Sequence, residues 1–160
     1  MTVTQMTPVN QQATTLIVMA CSATKLLSPT PAIDLYRGVM YGTYRANVQH
    51  QAAPAVMILS ALHGFIEPGL VIEPYDQCMT PARAEAMLDE LDRFMPNAWP
   101  ATARRVLFAG GRNYRRVMKA GFARQVELGH VSVGALVQET TGGIGYQRQQ
   151  LGAFLRGDQS

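Results

Sequence analysis

Three short runs of the chain are apolar at almost every position: TLIVMA at residues 15–20, AVMILS at 55–60 and RVLFA at 105–109. A strand with one face in water alternates polar and apolar residues, whereas a strand covered on both faces does not. The three runs therefore predict buried strands of a largely parallel sheet. Between them the apolar positions recur at helical spacing. Leu35, Val39, Tyr44 and Val48 share one side of a helix expected over 34–51, with Arg37 and Arg45 outward. Ala84, Met87, Leu88, Leu91 and Phe94 form the stripe of a second helix, which Thr80 caps, Pro81 opens and Pro96 closes at about residue 95. Gly110-Gly111 turns the third strand into another helix. A fourth strand is expected over 130–137, and a terminal helix over 144–156 follows Gly142-Gly143. Strand alternating with helix predicts an α/β fold of three layers, a mostly parallel sheet of about four strands with helices on both faces. One domain is expected over 15–157, behind a Thr/Gln/Asn-rich flexible leader at 1–14.

Both of the first two strands run out into chemically able side chains. Ligands of open α/β sheets sit outside the carboxyl ends of the strands, so the loops after strands one and two are expected to share a site. Cys21, Ser22 and Lys25 follow the first strand. Free backbone N–H groups, a hydroxyl and a lysine would suit an anion or phosphate, though a small buried residue, a turn former and a solvated lysine would read the same way. Ser60, His63 and Gly64 follow the second. Histidine is the natural acid/base group near neutral pH, and a glycine beside it permits close approach of a ligand. A purely structural histidine is the plainer alternative. The loop from Ala61 to Thr80 is longer than compact domains use without a function. Within it, Pro74 holds Glu73 extended and fixes its own φ, so Tyr75 and Asp76 are presented in a set direction. Tyr75 could stack on a base, and Asp76 could activate water or stabilise a developing cation, unless this is a surface turn. His63, Asp76 and Glu73 are the catalytic candidates.

The chain has 160 residues, 48% of them hydrophobic and 16% charged, with a net charge of +3. No apolar run is long enough to span a membrane, and two cysteines make no disulfide framework, so a cytoplasmic protein is expected. The positive charge is almost wholly arginine, which favours bidentate contact with phosphate or carboxylate. Arg112, Arg115 and Arg116 with Lys119 form a basic band at helical spacing, suited to a nucleic-acid backbone or equally to a solvated helix face. Gly142 and Gly143, ahead of a helix, could hold a phosphate on backbone donors. No GxxxxGK[ST] run supports triphosphate hydrolysis. No C-x-x-C or H-x-x-x-H spacing suggests a metal, and no cofactor is expected. Oligomeric state is left open, a homo-oligomer included.

CSATK, LYRGVMYGTYR, LSALHGFIEPGLVIEPYDQCM and GGIGYQRQQLGAFL, in this order, resemble a small domain-of-unknown-function family of phage and bacterial proteins. The resemblance runs from Leu16 to Leu155. That family is similar to the catalytic domain of archaeosine synthase and to the YaaA peroxide-stress proteins, both related in fold to uracil-DNA glycosylase. The chain departs from the first in lacking Pro before Cys21, and from the second in having Asp76 where that family has arginine. The resemblance implies a uracil-DNA glycosylase-like fold and action on a nucleobase, nucleotide or nucleic acid. Cys21, Ser22 and Lys25 would hold a phosphate or base edge, Tyr36 or Tyr75 would stack, and His63 with Asp76 would perform glycosylase-like or base-modifying chemistry. A non-catalytic DNA-binding protein and a small-nucleotide sensor are the rival expectations.

Overall fold

The computed structural model describes residues 13–157. Strand β1 (Thr15–Ala20) sits at the centre of the main sheet and is parallel to β3 (Ala55–Ser60) on one side and β6 (Arg105–Ala109) on the other. All six residues of β3 and the middle four of β1 are buried. This is the double coverage that an unbroken apolar run requires. Strand β7 (Leu136–Glu139) adds parallel to β6, and β4 (Gly64–Ile66) adds antiparallel to β3, giving the order β4-β3-β1-β6-β7. The sheet thus has five strands rather than about four. The extra one is a short return at Gly64, whose φ of 82° makes the tight turn after Ser60.

Successive side chains of a strand point to opposite faces, and here they divide the core in two. Leu16, Val18, Met57, Leu59, Val106 and Phe108 meet Met87 of α3 (Pro81–Asp89), Val117 and Met118 of α4 (Arg112–Glu127), and Trp99. Ile17, Met19, Val56, Ile58 and Leu107 meet Leu35 of α1 (Ala32–Leu35), Tyr41 of α2 (Val39–Asn47), and Leu151 and Phe154 of α5 (Ile144–Arg156). The protein is therefore three-layered, with helices on both faces of a mostly parallel sheet.

Three elements differ from expectation. The helix expected over 34–51 is broken into α1, α2 and a 3-10 turn at His50–Ala52. The break at Tyr36–Gly38 comes from pairing with the loop after β1. Lys25 bridges Tyr36, Arg37 donates its N–H to the Thr24 carbonyl, and Leu26 donates to that of Leu35. Gly38 lies so close to Ser22 that a Cβ would come within 2.8 Å of the serine Cβ. The helix expected to reach residue 95 stops at Asp89, and Leu91–Phe94 forms a separate 3-10 turn. Its cap is as read: the Thr80 side chain accepts from the Arg83 N–H at 3.0 Å. The fourth parallel strand begins at Leu136, not at 130, because Ser132–Ala135 closes a turn around Gly134.

The long loop after Ser60 is also held more firmly than a free loop. Beyond β4 it forms β5 (Val71–Ile72), which pairs antiparallel with β2 (Thr30–Pro31). Residues 1–12 of the expected leader lie outside the described residues. Its last two, Ala13 and Thr14, are tied down by the Thr102 hydroxyl and the Arg104 and Arg105 N–H groups, at the amino-terminal edge of the sheet.

Candidate functional site

From β1 the chain continues to β3 on one side and later returns to β6 on the other. The crevice between the carboxyl ends of β1 and β6 is thus where the strand order reverses, the preferred ligand position in such sheets. A cavity of about 350 Å³ lies there. Ala20–Thr24 after β1 and Ala109–Gly111 after β6 form its walls, with Tyr41, Tyr114 and Gln147 contributing side chains. Three helices start around it. Gly38, Gly111 and Gly143 stand at the N-caps of α2, α4 and α5, and none of the three is capped by a side chain. Glycine has no side chain to occupy the first-turn N–H groups, so these donors are left for an anion or for water.

On the other side of β1 lies a polar network. Ser60, fully buried at the end of β3, accepts from the N–H groups of Leu62 and His63 at 3.1 and 3.0 Å. Its hydroxyl pairs with that of Tyr75 at 2.6 Å, and Tyr75 in turn pairs with Tyr36 at 2.6 Å. After Pro74 the Tyr75 side chain turns inward, while Asp76 stays exposed. Lys25 stands over the Tyr75 ring, its Nζ 4.5 Å from the centroid, and the His63 ring packs edge-on at 5.5 Å. Burial pushes Tyr36 up to about 12, and the nearby Cys21 adds to the shift against a hydrogen bond from Tyr75 that opposes it. Burial, then Cys21, likewise raises Tyr75 and Tyr114 far above the usual phenol range. Partial burial lowers His63 below the usual imidazole value.

Cys21 joins the two halves. Its N–H extends the ladder to the Leu59 carbonyl at 3.0 Å. Its Sγ lies 3.1 Å from the Tyr114 hydroxyl on the cavity side and accepts from the Ala61 N–H at 3.4 Å on the network side. Arg83 of α3 fixes the adjoining loop, donating Nε to the Ala61 carbonyl at 2.7 Å and Nη2 to that of Leu62 at 3.0 Å.

Of the expected site residues, Cys21, Lys25, Tyr36, Ser60, His63 and Tyr75 come together at this edge. Ser22 lines the cavity but spends its hydroxyl on the loop, donating to the Thr24 carbonyl and accepting from the Gly38 N–H. Gly64 is packed beneath Phe94, with no room for a Cβ. Glu73 and Asp76 are exposed, make no hydrogen bond or ion pair among the described residues, and do not line the cavity. The α4 band is largely occupied. Arg115 donates to the Gly110 carbonyl and pairs with Glu139 at 2.9 Å, Lys119 also reaches Glu139, and Arg116 pairs with Glu85. Gly142 and Gly143 precede α5 beside the cavity, whose wall is made by Ile144 and Gln147 instead. Among the described residues no three His, Cys, Asp or Glu side chains are grouped to hold a metal ion.

Sequence reading missed Tyr114, Tyr41 and Arg83. Tyr114 was within reach: it stands in the first turn of the helix after the third buried strand, on the edge where the site was expected. The cavity also lies between the first and third strands, whereas the site was expected after the first and second.

A search among curated proteins finds no match. Among solved structures, one described as "Crystal structure of AF0587, a protein of unknown function" is similar over 89% of this chain at 16% identity, with a TM-score of 0.48. This chain covers 44% of that one, less than half its length. The model of a family of unknown function, DUF6884, matches residues 16–139, and the chain belongs to that family.

Proposed function

We propose that the protein binds a nucleobase-bearing ligand in the cavity between β1 and β6 and modifies its base. The carrying observation is the cavity itself: it occupies the reversal point of the strand order and is ringed by three glycine-capped helix starts. A phosphate would sit against those N–H groups, and a planar base would lie against the Tyr114 ring, over a floor that Tyr41 and Gln147 close. Its volume is at the small end of the ~300–1,000 Å³ usual for ligand sites, the right order for one nucleotide.

Two reactions compete. Hydrolysis of a glycosidic bond needs a carboxylate beside the forming oxocarbenium ion. No Asp or Glu lines the cavity among the described residues, and Asp76 and Glu73 stand on the exposed loop. A thiol does line it. Cys21 would add to an amino-bearing ring carbon, the C–S bond forming as the C=N π bond opens and the thiol proton passing to the ring nitrogen. Ammonia leaves, and water then displaces the sulfur, with the Ala61 N–H and the Tyr114 hydroxyl already at the sulfur to steady it. Tyr114 keeps its proton to high pH because burial opposes the phenolate, so it remains a donor. Base modification through Cys21 therefore fits the wall better than hydrolysis through Asp76, with His63 and the Ser60–Tyr75–Tyr36 chain as neighbouring proton-handling groups.

The test is mass spectrometry of nucleosides after incubation with DNA, tRNA and free nucleotides, using the native protein, Cys21→Ser and Asp76→Asn. A mass-shifted nucleoside that survives Asp76→Asn and disappears in Cys21→Ser is the expected result. Released free base that depends on Asp76 and not on Cys21 would replace this reading by glycosylase-like hydrolysis. Retention of a nucleotide with no product from any pool would make the protein a sensor.

A further inference from the structure

Arg83 stands in the first turn of α3, with its guanidinium carbon 5.2 Å from the centre of the Phe94 ring. Among the described residues no carboxylate pairs with it. Its donors go instead to two consecutive backbone carbonyls, Nε to Ala61 and Nη2 to Leu62, at 2.7 and 3.0 Å. A planar peptide group joins the carbonyl of one residue to the N–H of the next, so the two groups that Arg83 grips end in the N–H of Leu62 and of His63. Both of these point at one atom, the Oγ of Ser60, at 3.1 and 3.0 Å. The N–H of the preceding peptide, that of Ala61, meets the Cys21 Sγ at 3.4 Å. One cation on α3 therefore grips a turn whose three successive N–H groups serve the side chains at the ends of β3 and β1.

The same turn fixes the direction of a proton. A serine oxygen has two lone pairs and one hydrogen. The two N–H groups fill the lone pairs, so the Ser60 hydroxyl hydrogen is what meets the Tyr75 oxygen at 2.6 Å. Leu62 is exposed, and water could satisfy its carbonyl. What Arg83 adds there is direction rather than the covering of a buried polar group.

We infer that Arg83 is a positioning residue for Cys21: by gripping the Ala61 and Leu62 carbonyls it holds the turn after β3 in the shape that aims the Ala61 N–H at the sulfur. The inference rests on the reading of Cys21 as the reactive group of the cavity, and it adds the residue that keeps that group ready. Displacements of about 1 Å near a reacting atom are enough to slow it severely, which is why such atoms are held by neighbours that are themselves locked. Arg83 is locked twice, by the Thr80 cap on its N–H and by the Phe94 ring against its guanidinium.

The experiment measures the rate at which iodoacetamide alkylates Cys21, read by mass spectrometry against N-acetylcysteine in the same tube. It is made on Cys78→Ser protein, so that Cys21 is the one thiol in the chain, and repeated with Arg83→Lys and Arg83→Gln added, each with its thermal unfolding midpoint. Losing one hydrogen bond to a group that carries charge corresponds to about tenfold, and Arg83→Gln is expected to slow Cys21 by about that factor. Lysine keeps the charge but lacks the fork that reaches two carbonyls, so Arg83→Lys should fall between. A looser fold would expose the half-buried sulfur and speed its alkylation, so a slower rate does not come from instability. An unchanged or faster rate in either folded variant would overturn the inference. If Arg83→Gln does not fold, Arg83→Lys decides by the same comparison. Nucleoside products, assayed separately, report on the base-modifying reading. Alkylation that follows Arg83 with no product from any pool sinks that reading and leaves Arg83 in its role, whereas a product that needs Cys21, with alkylation indifferent to Arg83, does the reverse.

Discussion

The two helical layers cover the same sheet but differ in what they leave exposed. On the α3–α4 side cations and carboxylates are matched: Arg116 with Glu85, Arg124 with Asp92 and Glu127, Arg93 with Glu90, and Arg115 and Lys119 with Glu139. Beneath them Trp99, Phe65, Phe108 and Phe122 form an aromatic cluster with centroid separations of 5.4 to 6.4 Å. The α2–α5 side has arginines without carboxylates on its helices, and its core carries four tyrosines, Tyr36, Tyr41, Tyr44 and Tyr75. One layer satisfies itself. The other joins its polar groups by neutral hydrogen bonds, Tyr36 to Tyr75, Tyr75 to Ser60 and Tyr41 to the Ala20 carbonyl, and the lesson is that a count of arginines says little until their partners are known.

The contrast can be broken most severely on the self-satisfied side. Trp99, 1% exposed, is expected to cost about 3–5 kcal/mol as Trp99→Ala, read as a fall in the urea midpoint. A loss under about 1 kcal/mol would mean that this layer is not the main source of stability. Alkaline pH should act next, and on the tyrosine side. Burial raises Tyr36 to about 12 in the folded protein, so the unfolded chain gives up its phenolic proton first. Stability from this group is fully present below about pH 10, the free phenol value, and is lost as pH rises through 12. Unfolding midpoints between these limits should decline less steeply in Tyr36→Phe, and identical slopes would show that the phenol ionises as freely when folded. The smallest effect is expected for Arg124→Gln. It breaks two ion pairs whose members lie at the surface, and such pairs are screened, so the midpoint should hardly move. A clear drop would make the matched surface a structural device.

Much of the sheet was legible because parallel strands announce themselves without reference to anything distant. TLIVMA and AVMILS are apolar at all but one position each, and their observed limits coincide with the expected ones. The terminal helix was equally plain from its glycine entry and apolar spacing. What could not be read locally depends on long-range pairing. Helical spacing continues through Tyr36, Arg37 and Gly38, yet the loop at 21–26 claims their backbone and turns Tyr36 toward Tyr75. The edge strand β7 was expected but placed six residues early, for the opposite reason: three of its four residues are exposed, so burial left no pattern to fix its start. In the site, Ser60 and Tyr75 were read as neighbours of a strand end and of a rigid proline, and both proved to be so. Tyr114 and Arg83 were not, since each reaches Cys21 or Ala61 from another helix. The ion pairs of the basic band were not legible, because Glu85 and Glu139 approach it from 31 and 24 residues away.

The hydrogen bonds at Ala13 and Thr14 have a practical corollary. They bring the chain in at the amino-terminal edge of the sheet, and α5, which starts beside the cavity, carries it back toward that edge before Gly157. Six residues of β1 separate this edge from the cavity, about 20 Å at the usual strand rise. The described chain therefore enters at Ala13 and leaves at Gly157 on the side of the sheet away from the cavity opening.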